Sequence, residues 1–220
     1  MTVNDRNMGF GVGSSSAVEE MQRSIAKVAP SSFPVLISGE TGTGKELAAR
    51  QIHALSGRSP LVSVDCTGLS GELFASELFG HERGAFTGAF STRVGLLESA
   101  GDGTVFLDEV GELSLELQAR MLRFLQEKEY RRLGSNQFRS SGCRILAATH
   151  QDLRTLVATH RFREDLYQRL NVIVISTPPL RDRLEDLEML IRHFQAKHSI
   201  EFKLGEAARD ALYRYSWPGN

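Results

Sequence analysis

The sequence predicts an α/β fold in which a parallel sheet of about five strands lies between helices. One indication is the stretch 35–45, where an apolar strand runs into a glycine-rich loop and then into a helix that begins at Lys45. A second is the apolar strand Thr104–Leu107, which is followed by the two acids Asp108 and Glu109. The third is the alternation of helices with strands that are nearly all apolar, which is typical of a parallel sheet covered on both faces.

Each predicted element follows from the periodicity of its apolar residues. A spacing of three or four residues, as in Val18, Met21, Ile25 and Val28, indicates an amphipathic helix, and short apolar runs between turn residues indicate buried strands. The predicted strands are 35–38, 61–66, 104–109, 144–149 and 172–176. The predicted helices are 17–29, 45–55, 71–79, 115–127, 163–170, 183–198 and 205–215, whereas 80–89 forms no regular element and 96–100 is a short apolar segment.

The chain divides into three parts. Residues 1–16 lack periodicity and are rich in glycine and serine, so we expect a flexible lead-in. Residues 17–176 hold all the predicted strands and form the predicted α/β nucleotide-binding domain. After Pro178 and Pro179 the pattern becomes purely helical, which predicts a second, all-helical part over 177–220.

Composition excludes several classes of protein. The 220 residues carry a formal net charge of −1, so no overall basic field attracts nucleic acid, and DNA binding by this segment is not expected. Cys66 and Cys143 have no metal-ligand spacing and are expected to be buried free thiols in a reducing compartment. The sequence shows no signal peptide and no apolar run near the ~18 residues of a membrane span, which predicts a soluble intracellular protein.

The pattern Gly39-x4-Gly44-Lys45 is that of a phosphate-binding loop. Glycines at 39, 42 and 44 let several N–H groups face one point, and the following helix adds the positive end of its dipole. Lys45 can then reach the β- and γ-phosphates of a nucleotide. Glu46 stands where the general pattern has Ser or Thr, and a chance glycine-rich turn is the alternative. The candidate nucleotide-binding residues are Gly39, Glu40, Thr41, Gly42, Thr43, Gly44, Lys45 and Glu46.

Three candidate catalytic residues lie at predicted strand ends. In a P-loop fold Asp108 would hold Mg²⁺ through water, and Glu109 would polarise the attacking water. Thr149 would bond the γ-phosphate or that water. Each has a simpler explanation, because an acidic turn often follows a strand and a Thr at a strand end reflects β-propensity.

Two arginines, Arg163 and Arg169, are about two helical turns apart on roughly one face of a predicted helix. They are candidates for arginine fingers that reach the γ-phosphate bound by a neighbouring subunit. The alternatives are a solvated helix face or an ion pair with Glu164 or Asp165. Spacing alone does not choose between them.

A resemblance to a known family rests on the segment 77–89. Its last six residues read GAFTGA, which resembles the signature of the AAA+ domain of sigma-54-dependent transcriptional activators, also called bacterial enhancer-binding proteins. Nearly the whole chain is similar to that domain. GETGTGKE at 39–46 matches its Walker A form, in which Glu follows the lysine, and TVFLDE at 104–109 matches Walker B. Four shorter segments are also similar: AAT at 147–149 to sensor I, FREDLYQRL at 162–170 to the arginine-finger helix, PPLRDR at 178–183 to the lid entrance, and WPGN at 217–220 to the start of the last lid motif.

The resemblance implies an ATP-hydrolysing activator that binds ATP and Mg²⁺ and forms a ring, commonly a hexamer. Its insertion loop would project toward the pore and contact sigma-54, with an exposed Phe86 at the tip. The expected sigma-54 contacts are Gly84, Ala85, Phe86, Thr87, Gly88 and Ala89. The ring would remodel the closed complex of sigma-54 and RNA polymerase in the bacterial cytoplasm, and DNA would be bound only through a C-terminal domain outside this chain.

The chain departs from the family at three points. Asp65 stands where the commonest residue is Asn, the switch partner of the Walker B glutamate, and an ionised Asp65 would repel Glu109. His150 follows sensor I where Asn is frequent, and we expect this exchange to be tolerated. The family's sensor II arginine and last lid helix would follow Asn220, so a partial lid and impaired activity are expected.

Two alternatives to the remodelling ATPase stay open at this point. Asp65 and the missing sensor II arginine favour a nucleotide-binding regulatory module with little or no hydrolysis. The other alternative is a different P-loop remodeller, such as a protease-associated unfoldase or a replication clamp loader, which the GAFTGA segment disfavours.

Overall fold

The computed structural model describes residues 13–68 and 71–220, and its centre is a parallel sheet. The strands are β1 (Val35–Ser38), β2 (Leu61–Asp65), β3 (Thr104–Asp108), β4 (Glu129–Tyr130), β5 (Arg139–Ser140), β6 (Arg144–Thr149) and β7 (Val174–Ser176). Five of them form one sheet in the order β2-β3-β6-β1-β7, and every pairing in it is parallel. The predicted α/β fold with about five parallel strands is therefore confirmed.

Helices precede, separate and follow the strands of the described residues. They are α1 (Ser16–Val28), α2 (Lys45–Ser56), α3 (Gly71–Phe79), α4 (Leu96–Ala100), α5 (Leu115–Glu127), α6 (Leu153–Ala158), α7 (Glu164–Leu170), α8 (Leu187–His198) and α9 (Glu206–Arg214). No described strand follows residue 176, as the switch to a helical pattern predicts.

Short elements account for most differences from the prediction. The antiparallel pair β4–β5 has two residues in each strand, and α6 has six, so neither presents enough residues for a periodic signal. The helix predicted from residue 183 begins at Leu187, because two 3₁₀ turns occupy 180–182 and 184–186. The fifth strand of the sheet starts at Val174 rather than at Val172.

Apolar side chains cover both faces of the sheet. On one face α1 and α2 pack against β1, β3 and β6, in a cluster that contains Ile25, Ile37, Ile52 and Phe106. On the other face the larger cluster joins β2 and β3 to α3, α5 and α7. Because both faces are buried, the strands present their polar groups at the carboxyl ends, where the predicted site residues lie.

Arg144 connects the sheet to the end of α1. Its side chain is 1% exposed and donates hydrogen bonds to the carbonyls of Val28 (2.9 Å), Ala29 (2.7 Å) and Phe33 (3.0 Å). Burial lowers the pKa of this guanidinium to about 10. The charge still satisfies carbonyls at the C-terminus of α1, where a cation is favoured by the helix dipole.

The start of α1 is tied to the helical part of the chain. The carboxylate of Asp186 accepts hydrogen bonds from the backbone N–H groups of Ser14 and Ser15 and from the Ser15 hydroxyl. Of the predicted lead-in, residues 1–12 lie outside the described residues. Cys66 and Cys143 are buried free thiols, as predicted. Among the helices of 13–68 and 71–220, none has the length and apolar character that crossing a bilayer requires.

Candidate nucleotide-binding site

The site is built at the carboxyl edge of the sheet. Ser38 at the end of β1 lies beside Thr149 at the end of β6, and Asp65 at the end of β2 lies beside Asp108 at the end of β3. Ligands of open α/β sheets bind at this edge. The topology thus brings together the phosphate-binding loop, the two acids, Thr149 and Asp65, as the sequence predicts.

The loop 39–44 (the P-loop) has the backbone that a phosphate nest needs. Gly42 and Gly44 have φ of 81° and 96°, values that a residue with a Cβ rarely adopts. Gly44 precedes the first residue of α2 and gives it no side-chain cap, so the first N–H groups of that helix have no capping side chain. An anion in this loop would face those donors and the positive end of the helix dipole.

Lys45 folds back over the P-loop. Its ammonium group donates to the carbonyls of Gly39 (3.0 Å) and Glu40 (3.3 Å), and the side chain is only 7% exposed. Thr43 also points inward, since its hydroxyl donates to the Glu40 carbonyl at 2.8 Å and lies 2.7 Å from the Thr177 hydroxyl. Both side chains therefore shape the loop from inside.

Glu40 and Glu46, the two glutamates among the predicted nucleotide-binding residues, form ion pairs outside the phosphate nest. Glu46 forms an ion pair with Arg50 one turn along α2, with both side chains about half exposed. Glu40 accepts two hydrogen bonds from Arg181, one of them at 2.8 Å, and these hold the pKa of Glu40 below its usual value. Neither carboxylate thus faces the nest of backbone donors.

Residues from the end of the chain lie against the P-loop. The Asn220 side chain donates to the Thr41 carbonyl at 2.9 Å and to the Glu40 carboxylate at 3.4 Å, and it accepts from the Leu180 N–H at 2.7 Å. The Gly219 carbonyl is so close to Gly42 that a Cβ added there would lie 2.2 Å from its oxygen. The helical part of the chain therefore contacts the loop that would hold the phosphates.

Glu109 has both carboxylate oxygens engaged. Oε1 lies 3.3 Å from the Lys45 ammonium, and Oε2 accepts from the His150 backbone N–H at 3.1 Å and lies 2.8 Å from His150 Nδ1. Burial raises the pKa of Glu109, but the His150 hydrogen bonds and the Lys45 charge outweigh burial, so its pKa falls below the usual value. Glu109 has a φ of 54°, a left-handed conformation that is uncommon for a non-glycine residue.

Asp108 and Asp65 are adjacent but face different partners. Asp108 accepts the N–H of Glu109 at 3.1 Å, and burial together with the Glu109 carboxylate raises the pKa of Asp108. The Asp65 carboxylate accepts the Thr67 N–H and hydroxyl, both at 2.8 Å. No hydrogen bond within the described residues joins Asp65 to Glu109, so the carboxylate at the predicted switch position is turned away from its expected partner.

Thr149 is buried at the centre of this edge. Its hydroxyl accepts the Gln151 N–H at 3.0 Å, and its carbonyl accepts the Gly39 N–H at 3.3 Å. The second bond links the end of β6 directly to the first residue of the P-loop. Thr149 thus lies where the sequence predicts, with its hydroxyl engaged by the following turn.

The two candidate arginines are exposed and lie apart from the P-loop. Arg163 precedes α7, pairs with Asp165 at 2.8 Å, and lines a surface cavity to which no P-loop residue contributes. Hydrogen bonding to Asp165 raises the pKa of Arg163. The expectation that Arg163 and Arg169 lie on one helix face is wrong. Arg163 precedes the first residue of α7, and a six-residue step in an α-helix separates two side chains by about 120° around the axis.

The backbone at Arg163 is held from the core by a residue that the sequence did not single out. Gln118 on α5 is fully buried and accepts the Arg163 N–H at 2.7 Å, while its amide donates to the carbonyls of Leu113 and Arg161. The sequence feature that could have indicated this role is a polar residue on the otherwise apolar face of α5. The contacts of His150 with Glu109 and of Asn220 with Thr41 were not predicted either, since these partners lie far apart in sequence.

The segment 84–89 forms a closed turn between α3 and α4. The Gly84 N–H donates to the Ala89 carbonyl at 2.8 Å, and Gly84 and Gly88 both have positive φ. Phe86 is half-buried, because its ring packs edge-on against His81 with centroids 5.1 Å apart. The expectation of an exposed Phe86 is therefore wrong for this arrangement, and Phe90, at 88% exposed, is the aromatic side chain that projects into solvent.

Comparisons with known proteins agree with this architecture. The chain is 50% identical to the transcriptional regulatory protein ZraR of Escherichia coli K12 over 219 residues, which cover 96% of this chain and 50% of that protein. The regulatory protein AtoC of the same strain is also 50% identical, with coverages of 96% and 48%. The chain thus spans about half the length of these relatives.

Solved structures give the same result. The structure of NtrX from Brucella abortus in complex with ATP has a TM-score of 0.87 and 36% identity, covering 94% of this chain and 49% of that one. Hsp104 of S. cerevisiae bound to ADP has a TM-score of 0.59 at 17% identity, which shows a shared fold alone. The protein-family model of the sigma-54 interaction domain matches residues 12–176, which is most of the chain. The chain therefore belongs to the family of sigma-54 interaction domains, built on the P-loop fold of AAA+ proteins.

Proposed function

We propose that this chain is a Mg²⁺-dependent ATPase that works in a ring, a hexamer in its active state, and remodels the closed complex of sigma-54 and RNA polymerase. The observation that carries the proposal is the convergence of the P-loop, Lys45, Asp108 and Glu109 at one edge of the sheet. The family membership and the ATP complex of NtrX support it further.

ATP binding would replace contacts that Lys45 makes within the chain by contacts with the phosphates. The Lys45 ammonium would leave the carbonyls of Gly39 and Glu40 and the Glu109 carboxylate for the β- and γ-phosphates, which carry more negative charge. The open N–H groups at the start of α2 would take phosphate oxygens. Gly42 and Gly44 let the backbone approach those oxygens closely.

Asp108 fits the expected magnesium ion. Its carboxylate is crowded by the charge of Glu109, and more weakly by that of Asp65, and a cation would relieve this repulsion. The described residues contain no cluster of three or more potential metal ligands, so the protein would supply Asp108 through water and ATP the other oxygens. Bound with ATP, Mg²⁺ would neutralise phosphate charge.

Hydrolysis needs a base beside the γ-phosphate, and Glu109 would supply it. Once Lys45 turns to the phosphates, Oε1 of Glu109 is released on the side of the P-loop. A water there would give its proton to Glu109 while its oxygen attacks the γ-phosphorus, and the bond from that phosphorus to the bridging oxygen of ADP would break. The hydroxyl of Thr149 would bond the water or the γ-phosphate.

The arginines would complete the site of a neighbouring subunit. Arg163 and Arg169 are exposed, and among the described residues no hydrogen bond or ion pair joins either of them to the P-loop of their own chain, which suits a role in trans. The ion pair of Arg163 with Asp165 lies at the surface, where such pairs contribute little, so a γ-phosphate could replace the carboxylate.

The turn 84–89 would transmit the effect of ATP hydrolysis to sigma-54. Thr87 and Gly88 are exposed, and rotation about Gly84 and Gly88 would release Phe86 from His81. A released Phe86 would add an apolar contact to the tip. DNA recognition would reside in another part of the protein, and we expect the whole assembly to act in the bacterial cytoplasm.

The test is ATP turnover by the full-length protein against protein concentration. Lys45→Ala should lose binding of a fluorescent ATP analogue, and Glu109→Gln should bind the analogue without turnover. Arg163→Ala should bind ATP but hydrolyse it slowly, whereas the matched control Arg161→Ala, also exposed, should behave as wild type. Mixing Lys45→Ala with Arg163→Ala should restore part of the activity, because some interfaces would join an intact nucleotide site to an intact arginine. No recovery on mixing, or specific activity independent of concentration, would contradict action in trans.

A nucleotide-binding regulatory module is the second candidate. It is favoured by the engagement of both Glu109 oxygens and by the orientation of Asp65 toward Thr67. Tight ATP binding by the full-length protein with no turnover at any concentration, with and without sigma-54, would establish this alternative in place of the ATPase.

A further inference from the structure

We infer that His150 is the residue that orients Glu109 in this chain, in the role expected of position 65. The inference deepens the proposed ATPase function and rests on it.

The contacts of Glu109 are asymmetric. Oε2 is held from the β6 side by two groups of one residue, the His150 N–H at 3.1 Å and Nδ1 at 2.8 Å. Oε1 faces the P-loop and lies 3.3 Å from the Lys45 ammonium. An ionised carboxylate only accepts hydrogen bonds, so Nδ1 is the protonated nitrogen of the imidazole.

Nucleotide would remove only one of these contacts. Phosphate competes for Lys45, which contacts Oε1, whereas the His150 N–H and imidazole contact Oε2. Glu109 would then stay anchored through Oε2 while Oε1 became available to a water. Anchoring one oxygen fixes the plane of the carboxylate, and fixed geometry is what a general base requires.

Position 65 does not provide this anchor. The Asp65 carboxylate is occupied by the Thr67 N–H and hydroxyl, and as an acceptor it has no proton to give Glu109. Glu109 also has a left-handed backbone, with φ of 54°. A strained conformation at a candidate base is consistent with a side chain that neighbouring contacts hold in place.

The first test is steady-state ATP turnover by the full-length protein, with nucleotide affinity measured separately. His150→Ala removes the imidazole but keeps the backbone N–H, and we expect kcat to fall about tenfold, as for the loss of one charge-assisted hydrogen bond, with ATP affinity unchanged. His150→Asn should restore most of the rate, because its amide nitrogen is bonded to Cγ as Nδ1 is. His198→Ala, the same exchange on exposed α8, is the matched control.

Turnover within twofold of wild type in His150→Ala, or faster turnover, would overturn the inference. A fall that His150→Asn does not reverse would indicate a packing role and would also overturn it.

The second test needs no turnover and therefore separates this inference from the proposed function. Thermal unfolding of the nucleotide-free protein is measured for wild type, Glu109→Ala, His150→Ala and the double variant. We expect the shifts in Tm to be clearly less than additive, because either single change breaks the same contact. Additive shifts would show that the two side chains do not interact, whatever the ATPase assay shows.

Discussion

Replacing Gln118 by Ala tests how the core positions the candidate arginine finger. Gln118 is fully buried on α5 and makes three hydrogen bonds with backbone groups. Two are donated by its amide, to Leu113 at 2.7 Å and to Arg161 at 3.0 Å, and the third is accepted from the Arg163 N–H at 2.7 Å. The Ala side chain would leave all three backbone groups without this partner.

The size of the effect follows from that count. A neutral hydrogen bond contributes about 1 kcal/mol to the free energy of unfolding, so the loss should be about 3 kcal/mol. For a chain of this length each 1 kcal/mol lowers Tm by roughly 2–4 °C, which gives a fall of roughly 6–12 °C. Gln126→Ala, at an exposed position of the same helix, should change the free energy by no more than about 0.5 kcal/mol.

Two measurements decide the reasoning. Thermal unfolding without nucleotide gives the stability, and Gln118→Met separates the lost hydrogen bonds from the lost volume, since Met fills most of the space. At a temperature where the variant is folded, ATP affinity should be unchanged while turnover falls, because the Arg163 backbone has lost its support. A Tm within 2 °C of wild type, or full turnover with the expected fall in Tm, would refute the argument.

Three further changes have expected outcomes. Arg144→Ala should lower the free energy of unfolding by at least about 4 kcal/mol, because four charge-assisted hydrogen bonds are lost at the end of α1, and a fall in Tm below 3 °C would contradict this. Gly42→Ala should weaken ATP binding at least tenfold, while the exposed control Gly57→Ala should not. Of these two glycines only Gly42 lies in the P-loop, and its new Cβ would lie 2.2 Å from the Gly219 carbonyl oxygen, whereas a Cβ at Gly57 would meet nothing within 4 Å. Thr87→Ala should keep ATP turnover but lose promoter opening with sigma-54, and normal opening would remove the loop from the proposed mechanism.

The fold could be predicted because its signals are local. Each strand of the main sheet is a short apolar run, and the loop 39–44 carries Gly42 and Gly44 at the two positions where its backbone is left-handed. The acids at 108 and 109 follow a buried strand, and parallel strands place their ends at one edge. These features need no knowledge of distant partners, so the sequence indicates them directly.

Side-chain partners could not be predicted in the same way. His150 meets Glu109 across 41 residues, and Asn220 meets Thr41 across 179, so no spacing rule connects them. An ionised Asp65 was expected to repel Glu109, yet the Asp65 carboxylate accepts hydrogen bonds from Thr67 in a local turn. The family resemblance implied an exposed Phe86, and an aromatic contact with His81 half-buries it.

Lys45, Glu109 and Arg163 each have a charged partner within the chain, and the burial of these pairs decides which exchange of partners governs the reaction. Arg163 and Asp165 are each more than 40% exposed, and such a pair contributes about 0–1 kcal/mol, so replacing Asp165 by a phosphate costs little. Lys45 and Glu109 are only 7% and 17% exposed. Separating two buried charges is costly unless another anion, such as a phosphate, pairs with the lysine. We therefore expect the transfer of Lys45 to the phosphates to be the controlling exchange. Because that same transfer releases Oε1 of Glu109, the base would become available only when a nucleotide is in place.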